Sequence, residues 1–520
     1  MAPGLRARAV RVVTSWDPQE RDAVLYAASA LFAAVTAETS SISLYRQWGT
    51  LAIGPYVLGA LFSAIGARRA RRAARAGEAG GGWHWTTPRV LVFLLVLLGA
   101  TLMPLSLEVL WRADTGGTGT TYVQPEVSVV EAAGTRVAHG HDPYQLVDGS
   151  RTKPAAPPGQ PAYDVYNPYL PLMSVFGLAR STHASPRLTD ARVAFSLITI
   201  VVVIGALALC RGPTGPRVLA LQSMTVLPTA ALPLATGGDD LPVAALMLLG
   251  LVLIQRRRPL AAGAALGVAA SMKITAWPLA ALALLAARHR HGRRGRRPAL
   301  LLVGGMAAVM VPAVLPTALS NLPAFVDNVV RFPLGLAGIR SPAASPLFGH
   351  AVVSFFPDAH KLFTILVASV GVAALGYVLV RHTPRTPGAL ARLLAWVMTV
   401  AILLAPSTRV GYFLYPIDFF VWAWLLNSED ATEAPAALPD TGDWLSEPVR
   451  LGASEEAKVP VGVEMSDVPT GLLGSQRHYD ASETANNRSA TGVTPLAGTL
   501  TPGTVEVNVV GDRVKPTSHS

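Results

Sequence analysis

Residues 259–287 read PLAAGAALGVAASMKITAWPLAALALLAA and stand between two arginine clusters. Arg256, Arg257 and Arg258 precede the run; Arg288, Arg290, Arg293, Arg294, Arg296 and Arg297 follow it. Short arginine-rich connections beside apolar spans mark the cytoplasmic side of a membrane. Both ends of the run therefore belong on one side, and 29 residues must carry the chain across and back. One crossing takes about 20 helical residues. The run thus predicts two short helices with a tip near Lys273–Pro278, where Pro278 suits a break.

The rest of the chain supports a polytopic reading. Its 520 residues are 51% hydrophobic and 14% charged, with a mean hydropathy of +0.40; a soluble domain carries about 25% charged residues. Further apolar runs lie near 24–43, 47–66, 89–110, 191–210, 217–236, 240–255, 298–317, 361–380, 387–406 and 410–427. Together they predict an all-α bundle of about 12 membrane helices, multi-pass in the plasma membrane. Residues 168–181 read either as a short span or as a re-entrant helix. The net charge of +11 is not a nucleic-acid signature. From Ser428 onward there are 14 acidic and 6 basic residues, a net −8, so residues 1–427 carry +19 in interhelical clusters. The single Cys210 excludes an intrachain disulfide framework and a cysteine metal site.

Counting sides from the arginines gives a cytoplasmic leader (1–22), a membrane domain (23–427) and a cytoplasmic tail (428–520). The tail is rich in Ser, Thr, Pro and Gly, a composition expected to stay disordered. The same counting places a long polar loop, 111–165, on the extracytoplasmic face. It brings Gly237-Gly238-Asp239-Asp240, Lys273, and the Arg331, Arg340 and Arg409 group to that face too.

Within the loop, EVSVVEAAGTRVAHGHDPY (126–144) spaces Val127, Val130, Gly134 and Val137 for an amphipathic helix lying on the membrane surface. Glu126 and Glu131 are candidate bases on it, or simply solvated charges. Asp239 and Asp240 read as ligands or as a polar cap on the next helix. Lys273 is a costly charge in an apolar run, placed there for function or snorkelling to the interface. Arg340 and Arg409 suit a phosphate by bidentate contact, or anchor the interface.

The order of these features resembles the GT-C class of membrane glycosyltransferases, in particular glycosyltransferase family 87, the polyprenol-phosphate-mannose-dependent mannosyltransferases of actinobacterial membranes. The matching stretches are Glu126–Val129 through Ala133-Gly134 with Gly140-His141-Asp142-Pro143-Tyr144, and Tyr166-Asn167-Pro168-Tyr169-Leu170-Pro171-Leu172. Then come Gly237–Asp240, Arg256–Arg258, Ala262-Gly263 to Gly267, and Lys273 to Pro278. The likeness runs from about Arg89 to Asn427.

The resemblance implies transfer of a sugar from a polyprenyl-phosphate donor to a glycolipid or glycan acceptor, with inversion and with no metal or cofactor. Glu126 stands where the family usually has Asp and would be the base, with Glu131 as the fallback. Asp142, Tyr144, Tyr166, Asp239 and Asp240 would bind substrate; Lys273, Arg340 and Arg409 would bind the donor phosphate. A transporter or lipid flippase and a non-catalytic scaffold are the alternatives. A transporter predicts inverted repeats, and no second copy of the 111–165 loop is present.

Overall fold

The computed structural model describes residues 17–76, 87–115, 122–144, 162–290, 296–333, 343–356, 358 and 360–433. It is about 82% helical and without strands among those residues, so the chain is an all-α polytopic membrane protein. The helices are α1 (Pro18–Thr39), α2 (Ser43–Arg75), α3 (87–114), α4 (Pro125–Ala138), α5 (Ala191–Leu209), α6 (Thr214–Thr225), α7 (Pro228–Thr236) and α8 (Asp240–Gln255). They continue as α9 (Pro259–Ala270), α10 (Trp277–Arg290), α11 (Arg296–Ser320), α12 (Phe348–Phe355), α13 (His360–Arg381), α14 (Pro387–Leu404) and α15 (Leu414–Glu433).

Among the described residues, seven helices are long and apolar enough to cross a membrane: α2, α3, α5, α6 with α7, α11, α13 and α14. The other expected runs also form helices, α1, α8, α9, α10 and α15, of which α8, α9 and the apolar part of α10 are shorter than 18 residues, so seven candidate spans stand against the twelve expected. The run 259–287 forms the expected pair of short helices, α9 and α10. Pro278 sits in the first turn of α10 rather than at the break itself, a position where its missing N–H costs nothing.

The surface of α13 has no buried residue; Leu362, Val372 and Val380 are each more than 70% exposed. Such a continuous apolar surface fits lipid rather than water. At the other extreme, α8 buries every residue but Leu249, as a helix apolar on all sides must. It forms the axis of the main core, with α5, α9, α10, α14 and α15 packed around it.

Irregular turns keep their backbone satisfied by side chains, as a membrane interior requires. In α3 the π-helical turns Leu97–Leu102 leave the Ala100 carbonyl to the Trp48 indole, at 3.0 Å. Pro228 ends α6, and the carbonyls of Thr225 and Val226 accept from Thr101 (2.9 Å) and Tyr56 (2.5 Å).

Contacts sort the helix ends into two groups. At one end Arg112 of α3 meets Asp190 before α5, and Gln124 before α4 meets Tyr45 of α2 and Thr236 of α7. At the other end Arg71 meets Glu20, and Arg256 meets Glu429. Because α3 ends and α5 begins at the same end, residues 168–181 do not cross. They form a 3-10 helix, Pro171–Ser181, of 11 residues. At about 2 Å per residue this is too short for a hydrocarbon core of about 30 Å.

Two expectations need correction. The helix α4 forms as expected, but its apolar side faces protein rather than the membrane surface. Val127, Val130, Ala133 and Gly134 are buried. A Cβ on Gly134 would come within 2.2 Å of Gly177 backbone, so α4 and the 3-10 helix touch main chain to main chain. The last helix also continues beyond 427 to Glu433, with Glu429 and Asp430 bonded to Arg256 and Gln255. From 434 onward the expected tail lies outside the described residues, as do leader residues 1–16 and loop residues 145–161.

Candidate active site

The site grows from the junction of α4 with the α7–α8 turn. The chain leaves α7 at Gly237, whose φ of +120° admits glycine and few other residues. A Cβ there would lie 2.2 Å from Val127. That close approach lets α4 dock by its first turn. Gln124 donates its backbone N–H to the Thr236 carbonyl at 3.1 Å, and its side-chain amide bonds Thr236 (2.7 Å) and Tyr45 (2.9 Å). Pro125 opens the helix and Glu126 follows in the first turn, where the helix dipole favours a negative charge.

Asp239 occupies the capping position of α8, but its side chain makes no capping hydrogen bond. It accepts instead from the Lys273 ammonium at 3.1 and 3.3 Å. Lys273 also meets Asp240 at 2.6 Å and lies over the Tyr169 ring, 5.3 Å from its centroid. Asp240 in turn accepts from the Tyr415 hydroxyl at 2.6 Å, and that hydroxyl is 2.8 Å from Thr275. The capping and snorkelling readings are therefore replaced by one buried acid–base cluster.

Burial pushes the Asp239 carboxyl up to about 6 against the pull of Lys273, with Asp240 and Glu126 adding repulsion. Burial opposes the Lys273 charge, but the two aspartates outweigh it and raise its pKa above the ordinary lysine value. Burial likewise raises the Tyr412 phenol, which feels the fields of Lys273, Asp240, Arg409 and Asp239.

Arg409 closes the other side. Its guanidinium bonds Glu126 Oε1, and the side chains of Arg409 and Glu126 are 33% and 17% exposed. Glu126 Oε2 is buried and has no hydrogen-bond partner among the described residues. The fold thus brings Glu126, Asp239, Asp240, Lys273 and Arg409 together from α4, α8, the α9–α10 tip and the α14–α15 connection.

The remaining expected residues stand elsewhere. Glu131 is not solvated: Arg112 grips both of its oxygens at 2.9 and 2.7 Å, and the Ala191 N–H donates at 3.1 Å. It belongs to a buried network with Asp190, Arg192 and Glu108 that ties α4 to α3 and α5. Asp142, Tyr144 and Tyr166 form a neighbouring lobe. Asp142 accepts from the Tyr144 N–H at 2.8 Å, and Tyr166 stacks on Phe332 with centroids 4.5 Å apart. The lobe joins the site through the Tyr144 hydroxyl, which donates to the Tyr169 carbonyl at 2.8 Å. Arg331 pairs with Asp327 at 2.8 Å, and Arg340 lies outside the described residues.

Sequence reasoning missed Tyr45, Tyr169, Thr275, Tyr412 and Tyr415. Tyr412 and Tyr415 follow Arg409 at steps of three, a spacing that puts them on one helical face. Tyr169 stands within the Tyr166–Leu172 stretch quoted above.

No curated protein and no solved structure matches the chain. A family model does match: Glycosyltransferase family 87, over residues 168–406. The match takes in Asp239, Asp240 and Lys273; Glu126 lies before it and Arg409 just after. With this match on a polytopic helical bundle, the chain is similar to glycosyltransferase family 87 over residues 168–406, and the protein is a membrane glycosyltransferase.

Proposed function

We propose that the protein moves a sugar, mannose in the first instance, from a polyprenyl-phosphate donor to a glycolipid or glycan acceptor on the extracytoplasmic face. The observation that carries this reading is Glu126: one oxygen is held by Arg409, while the other is buried and unpaired in a cluster of charged groups. In this reading, that oxygen accepts the proton of an acceptor hydroxyl. That hydroxyl's oxygen attacks the anomeric carbon as the bond to the phosphate oxygen breaks, and the polyprenyl phosphate leaves with the electron pair. Attack opposite the leaving group inverts the anomeric centre.

Arg409 is the cation for the leaving phosphate, since a guanidinium matches phosphate oxygens in pairs. Asp239 and Asp240 accept hydrogen bonds from sugar hydroxyls, with Lys273 holding both carboxylates in place. The Asp142, Tyr144 and Tyr166 lobe supports this arrangement through Tyr169.

The test has two parts. Cell-envelope glycolipids with and without the protein identify the product. Membranes containing the wild type, given radiolabelled polyprenyl-phosphate mannose, should label a glycolipid or glycan fraction that membranes without the protein do not. No difference between the two would reject the reading.

A further inference from the structure

The five charged groups of the site are three acids and two bases, and each base is paired with an acid. Lys273 is held by Asp239 and Asp240 and backed by Tyr169. Arg409 is different. Among the described residues Glu126 is the acid it meets, and it is the more exposed of the two cations, 33% against 12%.

The backbone on both sides of Arg409 is fixed. Thr408 exchanges hydrogen bonds with Ala343 and Ser345, each at 2.9 Å, and the Val410 N–H donates to the Ser345 hydroxyl at 3.1 Å. The loop is pinned, while the side chain can turn. An anionic phosphate brought to this site finds one cation that can be freed by side-chain rotation alone.

We infer that Arg409 is a partner-exchanging gate on the base: it holds Glu126 in the donor-free enzyme and passes to the donor phosphate when the donor binds. This rests on the polyprenyl-phosphate reading above. Its consequence is an order of events. With Arg409 on Glu126, one carboxylate oxygen is occupied and its charge is compensated by the guanidinium. When Arg409 moves to the phosphate, Glu126 Oε1 is freed beside the already unpaired Oε2, just as a sugar is present to be attacked. The donor binds first, and the base is unmasked second.

The test labels carboxylates in the purified full-length protein with a water-soluble carbodiimide and glycine ethyl ester. Modification at Glu126 is measured by peptide mass spectrometry. Undecaprenyl monophosphate should raise Glu126 labelling several-fold. Arg409→Gln should show the raised level without any ligand and no further rise with it. Inorganic phosphate at the same concentration should leave the wild type unchanged; release by it would overturn the lipid-linked donor as the trigger. If undecaprenyl monophosphate binds, by tryptophan fluorescence, yet Glu126 labelling stays flat, the gate is wrong and the donor reading stands. If Arg409→Gln labels no more than wild type, the gate is also wrong. If the lipid phosphate does not bind at all, the donor reading fails, and the order of binding fails with it.

Discussion

Tyr415 donates its hydroxyl to Asp240 Oδ1 at 2.6 Å, and the same carboxylate receives the Lys273 ammonium at 2.6 Å. The phenol therefore fixes the aspartate, and the aspartate fixes the lysine. Because Thr275 engages the Tyr415 oxygen at 2.8 Å, the hydroxyl is held from both sides. Tyr415→Phe keeps the buried ring and removes only the hydrogen bond. A hydrogen bond to a charged group contributes about 1.5–3 kcal/mol. The variant should fold, melt a few degrees lower in detergent, and transfer sugar roughly tenfold more slowly. Wild-type turnover in Tyr415→Phe would show that Asp240 needs no positioning.

Lys273→Met leaves Asp239 and Asp240 buried side by side without a counter-charge. Removing one partner of a buried ion pair costs about 3–5 kcal/mol. This substitution should lower the yield of folded protein sharply. The double variant Asp239→Asn with Lys273→Met should recover part of that loss while remaining inactive. Size-exclusion profiles and thermal melts of the three proteins measure it; a double variant no better than Lys273→Met would mean that the lysine acts by packing and not by charge.

Glu126 and Glu131 are both glutamates of α4, yet their partners differ: Glu126 meets Arg409, and Glu131 is held by Arg112 and the Ala191 N–H. Glu126→Gln should leave expression and melting temperature close to wild type and reduce transfer by about 10²–10⁴-fold, the usual worth of general-base catalysis. Glu131→Gln should do the reverse. It weakens a buried network around Arg112 at a cost of about 3 kcal/mol, with turnover per folded molecule largely kept. Parallel transfer assays and melts decide between the two glutamates; full activity in Glu126→Gln would remove it as the base.

The bundle was legible because its signals are local. Apolar run length and arginine placement predicted the α9–α10 hairpin and brought Asp239, Asp240, Lys273 and Arg409 to one end. Pairing was not legible, because it depends on which helix faces align. Nothing in the spacing of Glu126 and Glu131 says that one turns to Arg409 and the other to Arg112. That choice is made by the glycine contact between Gly134 and Gly177 and by Val127 resting on Gly237, both long-range. The tyrosines were hidden for a related reason. In an apolar helix a tyrosine reads as core or interface until a buried carboxylate is found at its hydroxyl.

The raised Asp239 pKa gives a pH signature with a definite sign. Its carboxyl titrates near the ordinary 3.8 in the unfolded chain and at about 6 in the fold, because burial disfavours its charge. Between those values the folded state holds the proton more tightly. Its contribution to stability is therefore complete below 3.8, declines as pH rises, and is gone above about 6. Activity should run the other way, since a neutral Asp239 no longer pairs with Lys273; transfer should fall as pH drops through about 6. Other carboxylates titrate in the same range, so the readout is the difference between wild type and Asp239→Asn. Melting temperatures of the two, taken in detergent across this interval, should show the wild type gaining stability relative to Asp239→Asn as pH falls. A wild type that gains stability over Asp239→Asn as pH rises through the interval would mean that Lys273 outweighs burial and depresses the Asp239 pKa.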